Sequence, residues 1–383
     1  MIGVAIKMIV GDKLKYFGLI AGIAFASLLV IQQASILVGL THQTGAFIRD
    51  TNQFDLWVMD PQIRFSQDTI PLTDGTLPRV RGIEGVEWAV PMYQGFLRAR
   101  LPDGTRQTVI LVGLDDATLI GGPPEMARGQ FESLREDKAL IIDEDSRLQK
   151  FSFKRAGTGA LDVGDTFDIN DTEMKVTGTF RSSKSFFWEP TVYTTYSRAL
   201  SVAPRERKMM NYVLVKLKPG ADRVAVAGAI EAATGAKART SDEFIKITAD
   251  YILKETGILV NFAMAVGLGF IVGALVSGQM LYNFTVDNLR FYGTLKAMGA
   301  SNLRLVGMVL TQSLLVGLIG FGIGLGAGTV LGEVVGKAGL AFLMPWWIPA
   351  FGGAAILGTC ILAGAISLVR VIRLEPAIVF KGA

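Results

Sequence analysis

The sequence predicts an α-helical membrane protein with four transmembrane helices and one large extracytoplasmic α+β domain. Three observations predict it. Residues 16–48, 256–286, 305–332 and 338–369 hold no Asp, Glu, Lys or Arg, and a bilayer core needs roughly 20 apolar residues in a helix. Charged residues make up only 19% of the chain, against roughly 25% in average soluble domains. Between the first two apolar stretches lies a polar region long enough to bury a core of its own.

Taken in order, residues 1–16 read as a cytoplasmic amphipathic segment with Lys7, Lys13 and Lys15 against Asp12. Transmembrane helix 1 is placed at 17–40. Its run of about 24 residues exceeds a signal-peptide core, so it is read as a retained anchor. The extracytoplasmic domain follows at 41–255. Helix 2 is placed at 258–283, a cytoplasmic helix and loop at 284–304, and helix 3 at 305–331. A short extracytoplasmic loop takes 332–347, helix 4 takes 348–370, and a cytoplasmic tail takes 371–383.

Orientation follows from the excess of Lys and Arg in cytoplasmic segments. Arg290, Lys296 and Arg304 oppose Asp287 in the loop after helix 2, and Arg370, Arg373 and Lys381 oppose Glu375 in the tail. Both termini are therefore expected in the cytoplasm. Trp346 and Trp347 suit the outer headgroup level. The +4 formal charge divides unevenly: residues 43–255 hold 28 bases and 30 acids, and the rest holds ten bases and four acids. The basic balance thus reflects membrane topology, and nucleic acid is not an expected partner.

In the 41–255 region, strand-like runs occur at 54–59, 86–93, 108–113, 139–142, 174–180, 192–196 and 212–217. Leu101-Pro102-Asp103-Gly104 is turn chemistry between two of them and predicts a hairpin. Residues 143–151 and 221–234 read as helices. Thr240, Ser241 and Asp242 offer N-caps for a helix over 240–255 that is expected to continue into span 2. Asp115-Asp116 and Asp143-Glu144-Asp145 lack the spacing of a calcium loop and read as caps and solvated loops. Ser182-Ser183-Lys184-Ser185-Phe186-Phe187-Trp188 is a polar run followed by three aromatics. It reads either as a loop facing a partner or lipid, or as one folding its rings inward.

No catalytic, metal or cofactor site is expected in this chain. One cysteine and one histidine exclude disulfide frameworks and multi-histidine sites. His42 has no catalytic pattern around it, and Cys360 reads as a small buried residue. Gly322-x-Gly324 lacks the third glycine of a dinucleotide fingerprint, because position 327 is alanine.

The spans carry small-residue faces. Gly320, Gly324 and Gly328 continue through Gly332 and Gly336 at four-residue spacing. Gly18, Gly22 and Ala26, and Gly269, Gly273 and Ser277, repeat the pattern and predict close helix packing. Intramembrane polar groups are amides and hydroxyls, including Gln279, Asn283 and Gln312. No ionisable residue sits mid-span, which argues against a proton-coupled path. In the loop after helix 2, Asn283, Asp287, Arg290 and Thr294 form one polar helical face. Leu289, Tyr292, Leu295 and Met298 form an apolar face with an exposed aromatic, and Gly299 is a natural stop.

Leu295-Lys296-Ala297-Met298-Gly299-Ala300-Ser301 resembles the signature after the second span of FtsX-like ABC-transporter permeases. Residues 374–380, Leu-Glu-Pro-Ala-Ile-Val-Phe, are similar to that family's closing motif. Residues 163–169 followed by 174–178 resemble the periplasmic core domain of MacB-type members. Tyr292-Gly293-Thr294-Leu295-Lys296 and Gly22–Ala26 are most similar to the DevC branch. The resemblance implies a permease subunit in the bacterial inner membrane that drives export of a lipid, glycolipid or other hydrophobic substrate. It implies a homodimer, two copies of a separate ATPase holding ATP and Mg, a HlyD-like adaptor and an outer-membrane channel. Asp287, Arg290, Phe291, Tyr292, Thr294, Leu295, Lys296 and Met298 would form the ATPase-coupling helix. Many family members carry an acid at 291 or 292, where this chain has aromatics. The 383 residues contain no G-x-x-x-x-G-K-[ST] loop. A regulator of a cell-wall hydrolase and a lipoprotein-releasing permease remain open alternatives.

Overall fold

The computed structural model describes residues 3, 8, 13–152, 159–204, 209–337 and 339–372. Lys7, Asp12, the tail charges Arg373, Glu375 and Lys381, and the 374–380 motif lie outside the described residues. The chain divides into two compact units, Met1–Leu40 with Gly257–Ala383, and Thr41–Thr256.

The first unit is helical. It contains α1 (Lys13–Thr44, whose last turn enters the second unit), and later in the chain four further helices introduced below. The second unit contains α2 (Ala46–Asp50), α3 (Thr76–Arg81), α4 (Glu144–Gln149), α5 (Tyr196–Val202), α6 (Arg223–Thr234) and α7 (Ser241–Glu255). The helices of the first unit are then α8 (Ile258–Asp287), α9 (Leu289–Ala297), α10 (Asn302–Lys337) and α11 (Trp347–Ile372). Four segments are long and apolar enough to cross a membrane: Tyr16–Thr44, Ile258–Asp287, Asn302–Gly336 and Trp347–Ala365.

Glycine faces set the packing of these helices. A methyl group on Gly22 of α1 would stand 2.7 Å from Val276 of α8, and one on Gly18 would stand 3.3 Å from Met280. Gly269 faces Leu29 at 3.3 Å, and Gly273 meets the methyl of Ala26. The small-residue faces of α1 and α8 therefore lie against each other, which lets the backbones approach and gain dispersion contacts. On α10, Gly320 meets Ile23 at 2.6 Å, Gly324 meets the Ala24 carbonyl and Ser27, and Gly328 meets Ile31 at 3.5 Å. Gly322, Gly326 and Gly336 face open space. Helix α11 packs against both α8 and α10, with Gly364 opposite Ser313 and Gly317 opposite buried Cys360.

The second unit is built on ten strands: β1 (Leu56–Met59), β2 (Val86–Arg100), β3 (Arg106–Leu114), β4 (Glu125–Arg128), β5 (Ala139–Asp143), β6 (Thr166–Ile169), β7 (Thr172–Arg181), β8 (Thr191–Thr195), β9 (Tyr212–Leu217) and β10 (Lys237–Arg239). Their order is β10-β1-β9-β2-β3-β8-β5-β7-β4, and β6 pairs with both β2 and β7. That last pairing closes β2, β3, β8, β5, β7 and β6 into a ring. Inside it lie Leu97, Val109, Leu111, Leu140, Ile142, Phe151, Phe167 and Val176, all buried. Strand β2 spans 15 residues because it serves both this ring and the β10-β1-β9 side. There Val80 of α3 and Val226 and Ile230 of α6 share a core with Val58 of β1 and Val213 of β9.

The 101–104 turn is a hairpin: Gly104 has φ +85, and its N–H donates to Leu101 O at 2.8 Å. The helix opened by Thr240 carries a full capping box with Glu243. It does not continue into span 2, as the sequence suggested. Gly257 at φ +69 breaks it, and α8 starts afresh. Asp143 accepts from Ser146 N at 2.8 Å, Asp115 from Thr118 N at 3.0 Å, and Asp116 from Ser197 N at 3.1 Å. These acids are caps, as their spacing implied.

Candidate functional site

The candidate site is the turn from α8 through α9 into α10. Helix α8 ends where Asn288 leaves helical geometry, at φ −95 and ψ 6. Its side-chain N–H donates to Phe284 O at 2.8 Å, and its own carbonyl accepts from Tyr292 N at 3.2 Å. One residue therefore ends one helix and begins the next. Gly299 ends α9 at φ +92. Its N–H donates to Lys296 O, and Ala300 N donates to Leu295 O, both at 3.0 Å. That pair of bonds is a Schellman stop. The break at Asn288 splits the polar face read from spacing. Asn283 and Asp287 belong to α8, Arg290 and Thr294 to α9, and all four are exposed.

The apolar face does not lie free. Leu289, Tyr292 and Leu295 pack on Leu305, Met308 and Val309 of α10. Tyr292 is fully buried, and its hydroxyl donates to Gln312 Oε1 at 2.9 Å. Burial pushes the Tyr292 hydroxyl up to about 12, which keeps it a donor. The reading of Tyr292 as an exposed aromatic is therefore corrected: its position on the i, i+3, i+6 stripe with Leu289 and Leu295 turns it onto α10. The exposed aromatic is Phe291, 61% accessible, and Met298 and, at the start of α10, Leu303 are exposed as well. Arg290 and Arg304 are exposed there too, and Lys296 is half-buried.

The sequence named both ends of the Tyr292–Gln312 bond without pairing them. Leu303 was missed, because it lies past the glycine stop, where periodicity no longer applies. Gly18, Gly22, Gly269, Gly273, Gly320, Gly324 and Gly328 all lie at helix contacts within the helical unit.

Residues 17–233, more than half of the chain, match the family model of the MacB-like periplasmic core domain, and residues 263–376 match that of the FtsX-like permease C-terminal region. The chain belongs to the FtsX-like permease family, with a MacB-like core domain. The permease is 26% identical over 277 residues to the macrolide export ATP-binding/permease protein MacB of Shewanella oneidensis, covering 66% of this chain and 40% of that protein. It is 24% identical over 180 residues to an uncharacterized ABC transporter permease of Methanocaldococcus jannaschii, covering 46% of this chain and 45% of that one. The permease thus spans less than half the length of the curated relatives it matches. The periplasmic region of MacB from Actinobacillus actinomycetemcomitans is similar at 13% identity and a TM-score of 0.36, covering 53% of this chain and 95% of that one. The core-domain match takes in α1 from residue 17 and the 41–256 unit up to residue 233, and the FtsX-like match takes in most of α8 and all of α9 to α11.

Proposed function

We propose that this permease is the membrane subunit of an ATP-driven exporter that converts closure of a separate ATPase into movement of its spans and core domain. The observation that carries this is the α9 turn. It is delimited by Asn288 and the Gly299 stop, bonded to α10 through Tyr292, and still presents Phe291, Met298 and Arg290 outward. A short helix held this way transmits a push as a lever, because its base is close-packed and its tip is free to dock. An exposed apolar patch flanked by bases suits a protein partner. ATP and Mg would be held by that partner, and the exposed face of α9 would be its contact.

The charge distribution supports cytoplasmic termini and a core domain on the opposite side of the inner membrane. Family membership supports two copies of the permease with two ATPase subunits. A HlyD-like adaptor and an outer-membrane channel complete the proposed route for a lipid, glycolipid or other hydrophobic substrate. The absence of a mid-span charge among the described residues fits a machine that moves cargo without threading ions through its bilayer core.

The test is co-purification and turnover with the ATPase. Arg290→Glu with Lys296→Glu, and separately Phe291→Ala with Met298→Ala, should lose ATPase retention or stimulation at least tenfold. Unchanged retention and turnover in both variants would overturn α9 as the coupling element.

A further inference from the structure

The 182–188 strap of the core domain is clipped at both ends. Ser183 donates to Asp50 twice, from its N–H at 2.7 Å and its hydroxyl at 2.8 Å. On the far side, Gln107 Nε2 donates to Glu189 at 2.8 Å, and the Pro190 carbonyl accepts from Ile110 N at 2.9 Å. Around Phe186 and Phe187 of this strap a run of rings packs together, partly exposed. Tyr251 of α7 lies 5.1 Å from Phe65 at an interplanar angle of 8°. Phe65 lies 5.7 Å from Phe187, and Phe187 contacts Phe186 at 5.3 Å and Phe96 at 6.5 Å. All five rings are half-buried. Trp188 follows Phe187 in the chain at 47% exposure and is the one exposed tryptophan, tyrosine or phenylalanine among the described residues of this unit. Its φ of +59 is a conformation that side chains rarely adopt. The cations here are Arg64, 4.7 Å over the Tyr251 ring, and exposed Lys184.

Chain connectivity limits where this row can go. Tyr251 is four helical residues before Glu255, or about 6 Å at 1.5 Å per residue. Three further residues, at most about 11 Å, bring the chain to Ile258, the first residue of a membrane helix. Asp50, which clips the strap, follows the end of the other membrane helix, Thr44, by six residues. Both anchors of the ring row are thus tied to helices that cross the bilayer. Tyr251 and Trp188, at either end of the phenylalanines and beside Arg64 and Lys184, suit the boundary between headgroups and acyl chains, where tryptophan and tyrosine concentrate.

We propose that the 182–188 strap and its ring row seat the core domain on the headgroup layer of the leaflet on its own side, with Trp188 inserted and Lys184 on lipid phosphate. This rests on the reading of four membrane-crossing helices and is independent of the ATPase contact. A rigid aromatic ledge at the lipid surface would hold the domain in register with the leaflet and place it beside any amphiphile leaving that leaflet.

The test uses the full chain in nanodiscs of phosphatidylethanolamine and phosphatidylglycerol. Cys360→Ser removes the sole cysteine, and Trp188→Cys or Lys184→Cys then carries a nitroxide. Val224→Cys, on exposed α6, is the reference. Relaxation by oxygen over a water-soluble nickel chelate should rise several-fold at 188, and less at 184, relative to 224. Equal ratios at 188 and 224 would overturn the proposal. So would loss of access to both relaxants at 188, which marks a protein covering the strap. The 184 label keeps the result readable if the 188 variant folds poorly, and it must then exceed 224.

Discussion

Tyr292 is the residue on which the α9 turn depends. Its ring lies among Leu305, Met308 and Val309, and its hydroxyl satisfies Gln312, which is 2% exposed. Tyr292→Phe removes the donor to a buried amide oxygen, at a cost of about 1–3 kcal/mol. Thermal unfolding in detergent checks this, and a Tyr292→Phe variant as stable as the parent would contradict it. Asp143 offers a second case. Burial pushes its carboxyl above the usual range, while Ser146 offsets part of that shift. A raised acid is most stabilising when protonated, so its contribution is full below the unfolded pKa and declines as pH rises through the folded one. Asp143→Asn keeps the cap oxygen and should match or exceed the parent at neutral pH, with the difference fading in acid. Asp143→Ala loses the cap and should cost about 1 kcal/mol. Equal melting of the two variants at neutral pH would refute the cap. Tyr292 could be placed on a stripe from sequence, but spacing names the members of a face and not what the face meets.

At the scale of the element, the glycines of α10 separate by direction. Gly320 and Gly324 abut Ile23 and the Ala24 backbone, whereas Gly322 and Gly326 face open space. Gly324→Ala must push α1 away from a backbone carbonyl, which helices resist. Gly322→Ala meets nothing and removes the flexibility cost of glycine in a helix, about 0.5–1 kcal/mol. Purified Gly324→Ala should therefore melt lower than the parent, and Gly322→Ala equal or higher; the reverse order would contradict the α1–α10 contact. The four-residue period puts Gly320 and Gly324 on one side, because a helix forces residues at that spacing there. It also carried the face as far as Gly336, where no neighbour waits. The end of α7 was misjudged for a related reason. Helix-forming residues run on both sides of Gly257 as the charged α7 gives way to a charge-free span, and the left-handed φ of Gly257 marks the break.

For the whole molecule, the decisive feature is the sheet that closes through β6. Strand β2 pairs with β3, β6 and β9, so its amides can exchange only when several elements open together. Hydrogen exchange on the full chain in nanodiscs should find residues 89–97 among the slowest of the core domain, and the short edge strand β4 among the fastest. Faster exchange in β2 than in β4 would rule out the closed arrangement. What the sequence by itself determined is what local chemistry controls: four membrane helices, the hairpin at 101–104, the acidic caps, the Gly299 stop and the family. Each depends on residues within a few positions of one another, or on the gross cost of placing charge in lipid. Tertiary structure alone decided which way Tyr292 turns, which glycines touch a neighbour, how β6 closes the ring, and that the 182–188 strap is clipped to Asp50. Those depend on partners from 20 to more than 100 residues away, and hydrophobic burial, being non-directional, leaves their choice to the packing of the whole.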